Sequence, residues 1–318
     1  MGLRGLLLWL SRRPAIGRRL LRLPVARRMV RQFVPGETVD EAMGVLGRLH
    51  AAGLLSAATC LGENAVTPKA AAAAADTYCR LLEAIHAGRL PTTPSVKLTH
   101  LGLDLGEDIA RENVERVLER ARGVVVWLDM EDTHYTDRTL AVYRDLRLRW
   151  PNVACVLQAY LYRTETDLRA LIPLGVTVRL CKGAYREPGD RAFPRREDVD
   201  RNYARLAGML LSAEARRTGS YPAFATHDDR LIRVIGACAR EQGVPADGFE
   251  FQTLLGIRED LHPALAADGF RLRVLVPFGE DWYGYLMRRL AERPANLRLV
   301  LESLSTAERR RRGDPNRS

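Results

Sequence analysis

Two hydrophobic periods alternate along the chain from residue 37 onward. Short, almost wholly apolar runs are separated by longer stretches in which apolar residues recur every three or four positions. The short runs are typical of strands buried on both faces, and the longer stretches of amphipathic helices. The strands are predicted at residues 55–60, 95–98, 124–129, 153–158, 176–181, 223–226, 249–252 and 273–276. The helices are predicted between residues 37 and 55 and at residues 68–87, 107–122, 136–150, 165–171, 198–218, 229–242, 258–268 and 282–292.

Eight strands that are each followed by a helix predict a parallel α/β architecture. A doubly wound sheet usually carries a glycine-rich turn after its first strand, and this chain has no GxGxxG pattern. We therefore expect the fold class α/β and, within it, a (βα)8 TIM barrel. In such a barrel the functional residues follow the carboxyl ends of the strands.

The positive charge of the chain is concentrated at its two ends. The net charge is +10, but residues 1–36 contain nine arginines and no acid, and the tail carries four consecutive arginines at 309–312. The rest of the chain is close to neutral, so we expect no nucleic acid to bind to the barrel. The predicted domains are a basic arm at 1–36, a barrel at 37–304 and a basic, disordered tail at 305–318.

The basic arm combines its arginines with a leucine-rich run that contains Trp9. It lacks a small-residue cleavage site, and no apolar run approaches the ~20 residues that span a bilayer. These features predict an amphipathic arm on an anionic membrane surface. An ordinary basic surface helix and a transit peptide are the alternatives. The expected location is cytoplasmic, peripheral on the inner face of a bacterial plasma membrane.

The five cysteines form no CxxC pair, and several lie in predicted strands. We interpret them as reduced thiols of a cytosolic protein. Neither they nor the six histidines show a metal-ligand spacing, so no metal is expected.

Polar residues follow almost every predicted strand. Arg288 and Arg289 stand side by side and suit a planar carboxylate. Lys97, which needs a carboxylate partner if it is buried, and Asp129 suit the charge and proton of an amino group. The other candidates are a close-approach segment at Lys182, Gly183 and Ala184, and the phosphate donors Thr226 and His227. His227 is also a candidate base, although no nucleophile stands beside it.

Eight short motifs in order resemble the single-domain bacterial proline dehydrogenases. They are LGEN at 61–64, SVKLT at 95–99, LDMED at 128–132, LQAYL at 157–161, RLCKGAYREP at 179–188, FATHD at 224–228, EFQ at 250–252 and YLMRRL at 285–290. Together they cover roughly residues 36–300. The resemblance implies a distorted (βα)8 barrel with extra N-terminal helices, a final helix over the barrel mouth and a bound FAD.

The resemblance also implies roles for individual residues. Asp129 and Arg179 are the catalytic residues, and Arg179 contacts flavin N5. The substrate L-proline is bound by Lys97, Tyr185, Leu254, Arg288 and Arg289, and Glu63 pairs with Arg288 in a gate. The cofactor is bound by Met130, Gln158, Arg179, Cys181, Lys182, Gly183, Ala184, Thr226, His227 and Glu292. The implied reaction oxidises proline to Δ1-pyrroline-5-carboxylate, the first step of proline degradation to glutamate, and passes electrons to a membrane quinone.

Two positions depart from the family pattern. Leu275 stands where the family usually has Tyr, which leaves open whether hydroxyproline is also oxidised. Arg186 stands where a Trp is often found and is expected to change flavin stacking or potential. Two other classes of function remain as alternatives. One is a Schiff-base lyase or aldolase that uses Lys97 or Lys182, and the other is a non-catalytic scaffold that binds through the arm.

Overall fold

Eight parallel strands close into a barrel in chain order in the computed structural model, which describes residues 31–286. β8 pairs with β1 to complete the cylinder. The predicted α/β class and (βα)8 barrel are therefore confirmed. The strands are β1 (Leu55–Cys60), β2 (Thr92–Val96), β3 (Val126–Leu128), β4 (Val153–Gln158), β5 (Thr177–Cys181), β6 (Tyr221–Ala225), β7 (Glu250–Leu254) and β8 (Arg271–Phe278).

Helices surround the barrel and begin at the caps that the sequence supplies. Thr38 and Glu41 form a capping box at the first helix, and Thr67 caps the second, which has Pro68 in its first turn. The helices are α1 (Val39–Ala51), α2 (Pro68–Ala87), α3 (Glu107–Ala121), α4 (Thr136–Arg147), α5 (Thr164–Leu171), α6 (Arg196–Leu211), α7 (Ala213–Arg217), α8 (Asp229–Glu241) and α9 (Leu261–Ala267).

Several predicted boundaries differ from the structure by two or three residues, and two of the differences have a clear cause. β2 begins at Thr92 and ends at Val96, before Lys97. Its first residues, Thr92 to Ser95, contain no apolar run, so the hydrophobic pattern did not indicate a strand there. The single helix predicted at 198–218 is two helices. Ser212 has extended dihedral angles there, and its side chain accepts a hydrogen bond from the Ala215 N–H, which starts α7.

The two faces of the strands differ in chemistry. The outward face is apolar and packs under the helices, with Phe224 and Phe251 as fully buried examples. Residues paired in register share a face, and successive residues alternate between faces. The register therefore brings one set of residues into the barrel interior, where polar side chains dominate: Ser95, Trp127, Ala154, Val156, Arg179, Ala223, Glu250, Gln252 and Arg273.

The last residues of the predicted arm pack against the barrel. Phe33 and Val34 are buried, and the Gly279 N–H donates to the Gly36 carbonyl at 3.1 Å. Residues 1–30 of the arm and 305–318 of the tail lie outside the described residues, as do Arg288, Arg289 and Glu292. In the described part of the chain, no helix has the length and apolarity to cross a membrane.

Candidate active site

Arg179 is the centre of a polar network inside the barrel. Its side chain is buried on β5, and its Nη1 donates to Asp129 Oδ1 and to Ser95 Oγ, both at 2.9 Å. Its Nε donates to Gln252 Oε1 at 2.5 Å, and its guanidinium carbon lies 4.6 Å from the centre of the Trp127 ring. Burial lowers the pKa of Arg179, and the charge of Asp129 opposes that shift. The site therefore holds a buried, fixed cation with a carboxylate beside it.

Asp129 lies just past the end of β3 and is held in place from two sides. Ser95 Oγ donates to Asp129 Oδ1 at 2.7 Å, and Arg179 donates to the same oxygen. The two predicted catalytic residues are thus in direct contact. Charge-assisted bonds of this kind are about twice as strong as neutral ones, so the carboxylate has a defined position.

Two buried polar atoms on β4 and β5 have no hydrogen-bond partner among residues 31–286. They are Arg179 Nη2 and Gln158 Oε1. The rest of Gln158 is held in place. Its Nε2 donates to the Met130 backbone carbonyl at 3.4 Å, and its backbone carbonyl accepts from Thr164 Oγ1 at 2.6 Å. Buried donors and acceptors are nearly always satisfied in native proteins, so a donor and an acceptor left over at one site fit a polar, planar group such as a flavin ring.

A second ion pair lies at the mouth of the barrel. Lys97 Nζ is 3.8 Å from Glu63 Oε1, and both side chains are partly exposed. Glu63 is the carboxylate that the sequence required for Lys97. The predicted pairing of Glu63 with Arg288 stays a prediction, because Arg288 lies outside residues 31–286.

Next to this pair, Glu131 is a buried carboxyl group. It accepts hydrogen bonds from the Thr99 N–H at 3.2 Å and from Thr99 Oγ1 at 2.6 Å. Burial raises the pKa of Glu131 to about 7, although the bonds from Thr99 and the charge of Lys97 oppose the shift. The sequence placed Glu131 at a strand end but assigned it no role.

Lys182 follows β5 and is bound by two carboxylates. Its Nζ lies 2.5 Å from Asp200 Oδ1 and 2.9 Å from Asp228 Oδ2. Burial acts to raise the pKa of Asp228, but the hydrogen bond and charge of Lys182 prevail and bring it to about 2. Lys182 is therefore fixed between two acidic side chains. It lies close to the first turn of α8, whose N-cap is Asp228.

Gly183 has a left-handed backbone with φ of 113°. A Cβ at this position would lie 2.3 Å from the Tyr160 ring, so the chain itself requires glycine here. The expectation that Gly183 allows a ligand to approach closely is not needed to explain it. Beyond it, Ala184 is exposed and Tyr185 is half-buried.

The loop after β5 is tied to the loop after β3. Tyr160 Oη donates to Glu187 Oε1 at 3.2 Å. Glu187 also accepts from the Thr133 N–H at 2.9 Å and from Thr133 Oγ1 at 2.6 Å. These bonds position the segment that carries Cys181, whose Sγ donates to the Leu157 carbonyl at 3.4 Å.

His227 is not placed to be a base through Nε2. That nitrogen accepts a hydrogen bond from the Leu254 N–H at 2.9 Å, so it carries no proton and is already engaged. His227 instead links β6 to β7 and positions Leu254 at the end of β7. Its neighbour Thr226 is buried, and Thr226 Oγ1 accepts from the Asp228 N–H at 3.1 Å.

Leu275 lies on the inward face of β8, paired in register with Leu254 of β7 and Ala57 of β1. It is partly exposed, so it borders the interior above the polar network. The departure from the family pattern at Leu275 therefore lies beside a predicted substrate residue. Arg186, the second departure, is exposed.

The structure brings together most of the predicted site and adds residues that the sequence missed. Lys97, Asp129, Gln158, Arg179, Cys181 and Leu254 all lie at the carboxyl ends of neighbouring strands or on the inward face. The residues to which the sequence assigned no role line the barrel interior: Ser95, Trp127, Glu250, Gln252 and Arg273. Ser95, Trp127 and Gln252 contact Arg179 directly, whereas Glu250 and Arg273 reach it only through Gln252. Their sequence signals are the motifs at 95–99 and 250–252 and the polar alternation of Arg271 with Arg273.

Comparison with known proteins places this site in a family. The family model for proline dehydrogenase matches residues 42–300. Proline dehydrogenase 1 of Bacillus subtilis subsp. natto is 39% identical over 276 residues, which cover 86% of this chain and 90% of that protein. The proline dehydrogenase of Deinococcus radiodurans is 38% identical over 283 residues, covering 87% of this chain and 90% of that protein.

A solved structure gives the same result. The crystal structure of proline utilization A from Bdellovibrio bacteriovorus, inactivated by N-propargylglycine, superposes with a TM-score of 0.76 and 26% identity. The match covers 83% of this chain and 32% of that much longer one. The chain therefore belongs to the proline dehydrogenase family.

Proposed function

We propose that this enzyme uses FAD to oxidise L-proline to Δ1-pyrroline-5-carboxylate and passes the electrons to a membrane quinone. Family membership makes it an oxidoreductase of proline catabolism. The observation that carries the finer assignment is that two buried atoms, Arg179 Nη2 and Gln158 Oε1, have no hydrogen-bond partner in the described part of the chain.

The residues around that pair fit a flavin. When bound, FAD supplies the two-electron acceptor that proline oxidation needs. Arg179 and Gln158 offer a donor and an acceptor to its ring, with Met130 and Cys181 beside them. Lys182, Thr226, His227 and the first turn of α8 are proposed to bind its phosphates, as helix N-termini commonly do, with Lys182 turning from Asp200 and Asp228 to a phosphate. Gly183 and Ala184 border these residues, and Glu292 is proposed at their far end.

Proline would be bound by residues from four strand ends. Arg288 and Arg289 would hold its carboxylate, while Lys97, Asp129, Tyr185 and Leu254 shape the pocket. Asp129 supplies a negative charge for the amino group, and Asp129 and Lys97 are the two groups proposed to manage its proton. A gate between Glu63 and Arg288 would exclude water, since closure over a bound substrate is a common use of such pairs. On closure, Glu63 would leave its ion pair with Lys97 and form one with Arg288.

A visible spectrum tests the proposal. The purified protein is expected to be yellow and to bleach when L-proline is added without oxygen, because the electrons then remain on the flavin. Trans-4-hydroxy-L-proline serves as the second substrate, since Leu275 borders the pocket. Bleaching at a similar rate by both compounds would widen the substrate class. A colourless protein that cannot be reconstituted with FAD would overturn the proposal.

The lyase alternative lacks support from the site. A Schiff-base lysine needs an amine that is free to attack a carbonyl. Lys182 is engaged by two carboxylates and Lys97 by one. The non-catalytic alternative does not explain the buried ionic network around Arg179.

We propose the division into an arm at 1–36, a barrel at 37–304 and a tail at 305–318, with the arm as the membrane contact. Deleting residues 1–30 is expected to abolish binding to phosphatidylglycerol vesicles and to leave flavin content unchanged. Each arginine near an anionic surface contributes about 1 kcal/mol, so their combined loss is decisive. The deletion stops before Phe33, which is buried against the barrel.

Vesicle sedimentation measures this binding, with phosphatidylcholine vesicles as the uncharged control. Equal sedimentation of the full and shortened chains with anionic vesicles would show that the arm is not the contact.

A further inference from the structure

A chain of hydrogen bonds runs across the barrel interior from β8 to β5. Arg273 donates to Glu250 through Nε at 2.6 Å and through Nη2 at 2.9 Å. Gln252 Nε2 donates to Glu250 Oε1 at 2.5 Å, and Arg179 Nε donates to Gln252 Oε1 at 2.5 Å. Four residues from three strands thus form one connected path that ends at Arg179.

The side-chain amide of Gln252 has a fixed orientation because of the charged groups on either side of it. Arg179 has only donors to offer, and Glu250 is a buried carboxyl group that accepts from both neighbours. The Gln252 amide between them must point its oxygen at Arg179 and its nitrogen at Glu250. The reversed amide would place a donor against the guanidinium and an oxygen against the carboxylate. Gln252 therefore keeps the Arg179 Nε donor engaged in a hydrogen bond.

Arg273 anchors the far end to the backbone. Its Nη1 donates to the carbonyls of Ser56 at 2.9 Å and of Pro91 at 3.3 Å. Both carbonyls belong to the region where β1 and β2 begin. The orientation of Glu250, and through it that of Gln252, is thereby tied to the barrel wall on the side opposite Arg179.

We propose that Gln252, Glu250 and Arg273 are positioning residues for proline oxidation. They hold Arg179 in one rotamer, with Nε and Nη1 engaged, so that Nη2 is the donor left for the reacting group. The inference rests on the proposed function. It adds that three residues inside the barrel, none of them predicted to bind proline or the cofactor, set the geometry of Arg179. Small errors in such geometry have large effects, since a displacement of about 1 Å can slow a reaction about 100-fold.

Gln252→Met tests the path at its single neutral member. Methionine matches the length of glutamine but makes neither bond, so Arg179 loses its Nε partner. We expect kcat to fall about 10- to 100-fold, with little change in KM for proline and in flavin content. The visible band of the oxidised flavin should also shift, because the donor beside it moves. Thr253→Val is the matched control, since it removes a hydrogen bond to His262 on the opposite face of the same strand.

Gln252→Glu separates orientation from space filling. It keeps an acceptor for Arg179 but places a second carboxyl group against Glu250. The charged and titratable groups around Arg179 and this path are Asp129, Cys181, Glu250 and Arg273. One proton shared by the two carboxyl groups preserves the path at low pH, and its loss at higher pH brings like charges together. We expect kcat of Gln252→Glu to fall as pH rises, along a limb that the wild type lacks.

The outcomes separate the two proposals. If the wild type binds no flavin, the proposed function fails. If the wild type oxidises proline while Gln252→Met matches Thr253→Val in kcat and in the flavin band, the positioning role is wrong. Should Gln252→Met not fold, Gln252→Glu decides alone, and a pH profile parallel to that of the wild type contradicts the inference.

Discussion

Replacing Arg179 by methionine is expected to reduce kcat/KM for proline by about 1,000-fold or more. Among the described residues that contact Asp129, the Arg179 guanidinium combines a fixed positive charge with a donor left for the reacting group. Removing one such preorganised donor typically costs a factor of about 100 to 1,000 in rate. Here the variant also removes the cation that fixes Asp129, so the effect is expected at the upper end.

The same substitution should destabilise the fold. Arg179→Met leaves Asp129 and the Gln252 oxygen without their partner in the interior, and breaking a buried ion pair on one side costs about 3–5 kcal/mol. Arg179→Lys restores the charge but has no planar fork for three partners, so it should recover stability more than rate. Proline turnover and urea unfolding measure the two effects separately.

Arg111→Met is the matched control for losing an arginine. Arg111 also contacts two carboxylates, Asp108 and Asp145, but their side chains are 96% and 58% exposed on the outer surface. Exposed pairs contribute about 0–1 kcal/mol, so this variant should keep both stability and turnover. Turnover of Arg179→Met within tenfold of the wild type would remove Arg179 from the reaction.

The positions that the sequence predicted best are those where one local rule is sufficient. In a parallel barrel the residue after each strand must lie at the same end, whatever the strand is paired with. Locating the strands was therefore enough to gather Lys97, Asp129 and Gln158 at one mouth. The error of a few residues in β2 did no harm, since Lys97 still follows the strand.

The contacts across the barrel interior could not be predicted from the sequence, because they depend on closure of the barrel and on the register of its strands. Arg273 and Glu250 are 23 residues apart and meet only because β7 pairs with β8 in one particular register. A shift of one residue would turn one of them outward. Gly183 shows the same limit at a single residue. The sequence marks a glycine at this position, but only the folded loop shows that the Tyr160 ring is the neighbour that leaves no room for a Cβ.

Glu131 combines burial with a local hydrogen-bond motif that recurs elsewhere in the protein. Its carboxyl group accepts from the N–H and Oγ1 of Thr99, as Glu187 accepts from the N–H and Oγ1 of Thr133. Glu131 is 4% exposed, whereas Glu187 is half-buried. The pair allows the contribution of burial to be separated from that of the motif, because both carboxyl groups accept the same two bonds from a threonine, and Glu187 adds one from Tyr160.

The free energy of unfolding is expected to fall with rising pH because of Glu131. Its pKa is about 7 in the folded protein against an ordinary value of 4.5 for a glutamate side chain, so folding favours the protonated form. The resulting stabilisation is complete below about pH 4.5 and is lost as pH rises through about 7, a change of about 3 kcal/mol.

Glu131→Gln fixes the neutral form and keeps bonds to Thr99. It should match the wild type near pH 5 and be more stable by about 3 kcal/mol near pH 8.5, as measured by urea unfolding at both values. Glu187→Gln, made in the same motif at a half-buried position, should give no such gain at the higher pH. A gain of equal size in both variants would assign the effect to the threonine motif, and no gain in Glu131→Gln would show that burial does not hold this carboxyl group neutral.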